Sequence, residues 1–140
     1  MPTRKASATW EGGLKGGKGR FSGESGLSGA YSFGSRFDTA GGSNPEELLA
    51  AADAACFSMA LSGALEKNGT PAESVETKAA CTLEMVGDKS SITTMKLDVT
   101  TKVPGVDEAT FQKLAEQMKE GCIVSRALKG LKFELTARLV

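Results

Sequence analysis

The hydrophobic pattern changes character twice along the chain. Residues 8–43 hold no sustained period, because stretches such as GGLKGGKGRFSGESG and TAGGSNPEE break at glycine every few residues. We read three short strands there, near 6–12, 17–24 and 29–37, with Gly12, Gly13, Gly16, Gly17, Gly23 and Gly26 in the turns. The same density of glycine and serine would also suit a flexible linker. From Ser43 the pattern is helical. Leu48, Leu49, Ala52, Ala55, Cys56, Met59 and Ala60 recur at steps of three and four. Ser43 or Asn44 can cap this helix, Pro45 fits its first position, and Glu46 and Glu47 complement the positive end of its dipole. Lys67, Asn68 and Gly69 end it. Alanine on nearly every side lets neighbours approach closely, so the helix is expected to be central and buried.

Beyond it the period falls to two. Residues 74–86 place Val75, Thr77, Ala79, Cys81, Leu83 and Met85 on one face, and residues 91–103 do so with Met95, Leu97, Val99, Thr101 and Val103. A short turn around GDKS makes them a hairpin. Asp107 then caps a helix that buries Phe111, Leu114, Ala115 and Met118 and stops at Gly121. A short helix in CIVSRALKG and a strand in LKFELTARLV complete the chain. The order βββ-α-ββ-αα-β predicts an α+β fold, antiparallel sheet on helices, in one domain over residues 1–140.

Composition narrows the function. Lysine plus arginine equals aspartate plus glutamate, at 17 each, which argues against nucleic acid or an anionic membrane as partner. No uninterrupted apolar run approaches 18 residues, and MPTRKASATWEGG has basic residues without an apolar stretch after them. A cytoplasmic protein is the expectation. The glycine-rich GGKG lacks the spacing and the following Ser/Thr of a phosphate-binding loop.

The chain has no histidine. That removes Ser-His-Asp and Cys-His catalysis and disfavours zinc, since the three cysteines form no C-x-x-C pair. An odd cysteine count also speaks against a disulfide framework. Any nucleophile must be activated by arginine, lysine or a carboxylate.

Cys81 alternates with apolar strand neighbours and reads as core. Cys56 lies mid-helix, where the dipole gives little help, so it suits a small core residue or a nucleophile equally. Cys122 follows Gly121 at the start of a short helix, a place that favours a thiolate, though a small capping residue fits equally. Two poised thiols suggest one that attacks and one that resolves. Arg36, near the start of the central helix, is the candidate cation, with Lys18 and Arg20 as further cations. Glu46 could hold Arg36, but it lies ten residues before Cys56, roughly 15 Å of helical rise, and cannot touch the thiol along a straight helix.

RFD…GGSNPEELLAAADAACFSMAL, with GCIVSRAL, ATWEGGLKGGKGRFSGESG and VPGVDEATFQKLAEQMKEGC, resembles the osmotically induced and organic hydroperoxide resistance (OsmC/Ohr) peroxidases, the OsmC branch most closely. The resemblance implies an intertwined α+β homodimer with active sites at the subunit interface. It implies Cys56 as peroxidatic thiolate, Cys122 as resolving thiol, and Arg36 with Glu46 as the polar pair that activates Cys56 and guides the peroxide. The implied enzyme is a cofactor-free thiol peroxidase. It reduces organic hydroperoxides, and hydrogen peroxide, through a sulfenic acid and a Cys56–Cys122 disulfide, with a dithiol such as a dihydrolipoyl group as reductant. Phe37, Phe57, Met59 and Met118 are expected either to line an entrance for an apolar peroxide or to belong to the core. Two departures stand out: Asp53, where the family often has histidine or tyrosine, and Ile123, where it usually has proline. Asp53 is about 60° round the helix from Cys56, and its charge would raise the pKa of a thiol it faced. The alternatives are a redox-responsive binding protein that uses the same disulfide as a switch, and a structural dimer with inert cysteines.

Overall fold

The structure is a computed structural model that describes all of residues 1–140. The chain divides into two compact units, Met1–Leu48 and Leu49–Val140.

The first unit is built on an antiparallel sheet of β1 (Ala6–Glu11), β2 (Lys18–Gly23) and β3 (Ser28–Tyr31), in that order. The glycines therefore serve a sheet and not a linker. Gly19 shows why one of them is needed: a Cβ there would lie 2.4 Å from the Tyr31 ring. That ring sits 5.5 Å from Trp10 and 6.2 Å from Phe21, so the bare backbone at Gly19 is what lets the aromatics meet. The third strand does not run to residue 37 as predicted. It ends at Tyr31, and α1 (Phe33–Phe37) follows. The cause is a capping box: Ser35 N–H donates to Ser32 Oγ at 3.0 Å and Ser32 N–H to Ser35 Oγ at 2.8 Å. These reciprocal bonds turn the chain out of extended backbone before Phe33.

Helix α2 (Pro45–Lys67) begins in this unit and continues into the second. Of the two proposed caps, Asn44 takes the position, its Oδ1 accepting from Glu47 N–H at 2.8 Å.

In the second unit α2 presents Asp53, Phe57, Leu61 and Leu65 inward, each fully buried at four-residue spacing. They meet Met95, Leu97, Val99 and Val103 of the sheet side and Phe111 and Ala115 of α3 (Glu108–Gly121). Each buried Phe or Leu side chain contributes about 1.5–3 kcal/mol. The buried stripe is thus not the predicted one. Ala52, Ala55 and Met59 lie on the exposed side, Met59 at 77% exposure. Alanine-rich sequence leaves the choice of face to the few large residues, and Phe57, Leu61 and Leu65 decide it.

The sheet orders β4 (Ser74–Val86), β5 (Lys89–Lys102) and β6 (Lys132–Leu139), with β5 in the middle. The β4–β5 hairpin is antiparallel, pairing Ala79 with Leu97 and Cys81 with Met95. The β5–β6 pair is parallel, pairing Leu97 with Leu135. The all-antiparallel expectation fails there because α3 and α4 (Ile123–Ala127) form a crossover, which returns the chain in the same direction. Asp107 caps α3 as expected, accepting from Thr110 N–H at 2.9 Å.

With a mean hydropathy of 1.6, α2 is long and apolar enough, by length and composition alone, to cross a membrane, although no uninterrupted apolar run reaches 18 residues. The core helix of a soluble protein meets the same measure.

Candidate active site

Cys56 and Cys122 are both free thiols. Cys122, 1% exposed, stands between α3 and α4, its N–H bonded to Met118 C=O at 3.0 Å. Cys56, half-buried on α2, is its hydrogen-bond partner. The fold brings these two sulfurs together across the sequence. Burial pushes the Cys122 thiol above its ordinary pKa, and the bond to Cys56 pushes it further; bonds with Ser125 and Val124 pull the other way. The expectation that a helix start would favour a Cys122 thiolate is therefore overturned. Helix α4 has five residues, and desolvation outweighs its few N–H groups.

Cys81 packs half-buried against the core of the second unit, as its alternation predicted.

Asp53 is fully buried and does not stand as a bare charge beside the half-buried Cys56. It turns to α4, where its Oδ1 accepts from Ser125 Oγ at 2.9 Å and from Cys122 Sγ at 3.9 Å. Its Oδ2 is buried without a hydrogen-bond partner. Burial raises the Asp53 pKa above the usual carboxylate range, although the bonds from Ser125 and Cys122 act to lower it. Ser125 is the residue that sequence reasoning missed. Its signal was a hydroxyl three residues after Cys122, on the same side of a short helix.

In the first unit Arg36 and Glu46 meet as the resemblance implied. Arg36 donates from Nε at 3.0 Å and Nη2 at 2.7 Å to the same oxygen, Glu46 Oε1. Its side chain is 38% exposed while that of Glu46 is 8% exposed, so the carboxylate is buried and the guanidinium reaches the surface. Glu46 Oε2 has no partner. Ser35 and Asn44 fix the frame: Ser35 Oγ donates to Ser43 C=O at 2.7 Å, and Asn44 Nδ2 to Ser35 C=O at 3.0 Å. Arg36 borders an open apolar hollow of about 270 Å³ lined by Trp10, Leu14, Tyr31, Phe33, Phe37 and Pro45. Its guanidinium carbon lies 5.3 Å from the centre of the Phe37 ring. Lys18 and Arg20 are exposed on β2, where Lys18 pairs with Glu11 at 3.9 Å.

Of the apolar candidates, Phe37 lines this hollow, Phe57 is core, Met118 packs against the core, and Met59 is on the surface.

Such an α+β fold, with a paired thiol on a long helix and a buried arginine-bound carboxylate, defines a cysteine-based redox protein. The chain belongs to the OsmC-like protein family, whose pattern matches residues 38–136. It is 44% identical over 129 residues to the peroxiredoxin OsmC of Escherichia coli, covering 91% of this chain and 90% of that one. Its fold is similar to an organic hydroperoxide resistance protein of Elizabethkingia anophelis, with a TM-score of 0.74 at 24% identity, covering 100% of this chain and 98% of the other. An OsmC-like protein of Vibrio cholerae also gives 0.74, at 15% identity and 100% of both chains. Family membership supports a peroxide-reducing redox function and a peroxidase-like enzyme.

Proposed function

We propose that the protein is a cofactor-free thiol peroxidase that reduces organic hydroperoxides, and hydrogen peroxide, through Cys56 and Cys122. The hydrogen-bonding contact between the Cys56 and Cys122 thiols carries this reading. It puts the second thiol within reach of the first, and the family resemblance makes Cys56 the one that attacks. Cys56 attacks the distal peroxide oxygen, the O–O bond breaks, and alcohol or water leaves, with Cys56 as sulfenic acid. Cys122 then displaces hydroxide to form the disulfide, which guards Cys56 against further oxidation. An external dithiol, with a dihydrolipoyl group as the candidate, restores both thiols. The resemblance gives Arg36 and Glu46 to the peroxide, and the apolar hollow beside Arg36 suits the hydrocarbon part of an organic hydroperoxide. In this reading the protein is a homodimer, a second copy covering the apolar stripe of Ala52, Ala55 and Met59 that one chain leaves exposed.

The test is consumption of cumene hydroperoxide with dihydrolipoamide. Wild type should turn over, Cys56→Ser should be inactive, and Cys122→Ser should stop after one equivalent. Wild-type rates in Cys56→Ser would defeat the reading, and a single stoichiometric reaction in wild type would favour a switch.

A further inference from the structure

We propose that Asp53 is a catalytic base for the resolving step, its carboxylate taking the Cys122 proton as Cys122 attacks the oxidised sulfur of Cys56. This rests on the reading of Cys56 and Cys122 as the reacting pair.

Asp53 is fully buried, and no lysine or arginine lies within ion-pair distance of it. From α4 it faces Cys122 and Ser125, and on its own helix Cys56 follows three residues later. Two weakly acidic or neutral donors share Oδ1, while Oδ2 is an acceptor with nothing on it. A lone buried carboxylate is costly to the fold, so a purely packing role would be served better by an apolar or amide side chain. What the carboxylate adds is a place for a proton next to a thiol that must lose one. Burial also moves its affinity for protons upward, toward neutral pH. Ser125 holds Oδ1 in place, and the contact of 3.9 Å from Cys122 Sγ is of the loose kind that tightens as a reaction proceeds.

The step balances as follows. The Cys122 S–H bond breaks and its proton passes to Asp53; the sulfur's electron pair forms the S–S bond. The Cys56 S–O bond breaks, hydroxide leaves with the bonding pair, and solvent protonates it to water. The Cys122 sulfur is oxidised and the Cys56 sulfur reduced. When the external dithiol opens the disulfide, Cys122 departs as thiolate and recovers its proton from Asp53.

A base and a mere charge give opposite signs on removal. Taking away a negative charge alone would lower the Cys122 pKa and speed its attack. Taking away a proton acceptor would slow it, typically by 10²-fold or more. Asp53→Asn keeps an oxygen for Ser125 and the shape of the site but cannot accept a proton. The experiment needs no peroxide: in a Cys81→Ala background, Cys56 is loaded with one equivalent of Ellman's reagent, and displacement of thionitrobenzoate by Cys122 is timed by its colour across pH 5–9. We expect Asp53→Asn to be slower by about tenfold or more near neutral pH, with a rate rising about tenfold per pH unit where wild type is flatter. Asp53→Glu should recover most of the rate, and Ser125→Ala should lose less than Asp53→Asn while keeping the wild-type pH profile. Equal or faster displacement in a folded Asp53→Asn would overturn the base and leave the thiol pair standing. If wild type itself displaces no thionitrobenzoate, the pairing of Cys56 with Cys122 fails, and the base falls with it. Should Asp53→Asn not fold, Ser125→Ala decides: slower displacement with the wild-type pH profile supports a base held in place by Ser125, and an unchanged or faster rate counts against it.

Discussion

Ser125 donates its hydroxyl to Asp53 Oδ1 at 2.9 Å, joining α4 to α2 across 72 residues of sequence. The bond places a carboxylate in the interior next to Cys122, and the electrostatics of the second unit follow from it.

The stability of the fold should depend on the state of Asp53. Its native pKa is raised, so between the ordinary carboxylate pKa and the native one the folded state binds more protons than the unfolded state. Stability is then complete below the ordinary value and is lost as pH rises through the native one. Asp53→Asn should melt close to wild type near pH 4 and higher than wild type at neutral pH. Thermal melts at the two pH values check this, and a lower melting temperature for the variant at neutral pH would contradict it.

Ile123→Pro should be accepted. Ile123 is the first residue of α4, 76% exposed, where proline's missing N–H costs nothing. Cys122, just before it, has φ −58° and ψ 137°, an extended ψ that avoids the α region a following proline disfavours. The variant is expected to gain about 0.4–1 kcal/mol through a stiffer unfolded chain. Urea unfolding would read this, and a loss above ~1 kcal/mol would show that the backbone must move to admit the ring.

Arg36→Lys separates chemistry from stability. Arginine places two N–H donors on one Glu46 oxygen, which an ammonium cannot reproduce in the same fork. The partly exposed pair should contribute under ~1 kcal/mol to folding. We expect the rate of Cys56 oxidation by cumene hydroperoxide to fall tenfold or more while the melting temperature shifts little; stopped-flow thiol loss beside a thermal melt measures both.

Phe57→Ala should cost about 3–5 kcal/mol, because its ring is fully enclosed in the core of the second unit. Met59→Ala, two residues on and exposed, should cost under ~0.5 kcal/mol in a monomer. Chemical unfolding of the two variants would show whether the buried face of α2 is the one described; equal losses would argue for a second copy packed over Met59.

Local chemistry in the chain was enough to specify much of this protein. The period changes placed the strands and helices, Asn44 and Asp107 capped where side-chain oxygen can meet free N–H groups, and the absence of histidine left arginine and carboxylates as the available partners for a thiol. The meeting of Arg36 with Glu46 was implied by the family resemblance, and not by local pattern. Three features waited for the tertiary structure. The buried face of α2 depended on which large residues found a core, since alanine fits either side. The parallel β5–β6 pair depended on the route of α3 and α4. The direction of the Cys122 shift depended on burial that a helix-start position does not reveal. Asp53 makes the same point most sharply: beside Cys56 in sequence it threatens the nucleophile, and only packing against Cys122 and Ser125 turns it to the other thiol. Periodicity and capping act within a few residues and are written in the sequence, whereas desolvation and long-range hydrogen bonds exist only after distant segments have packed.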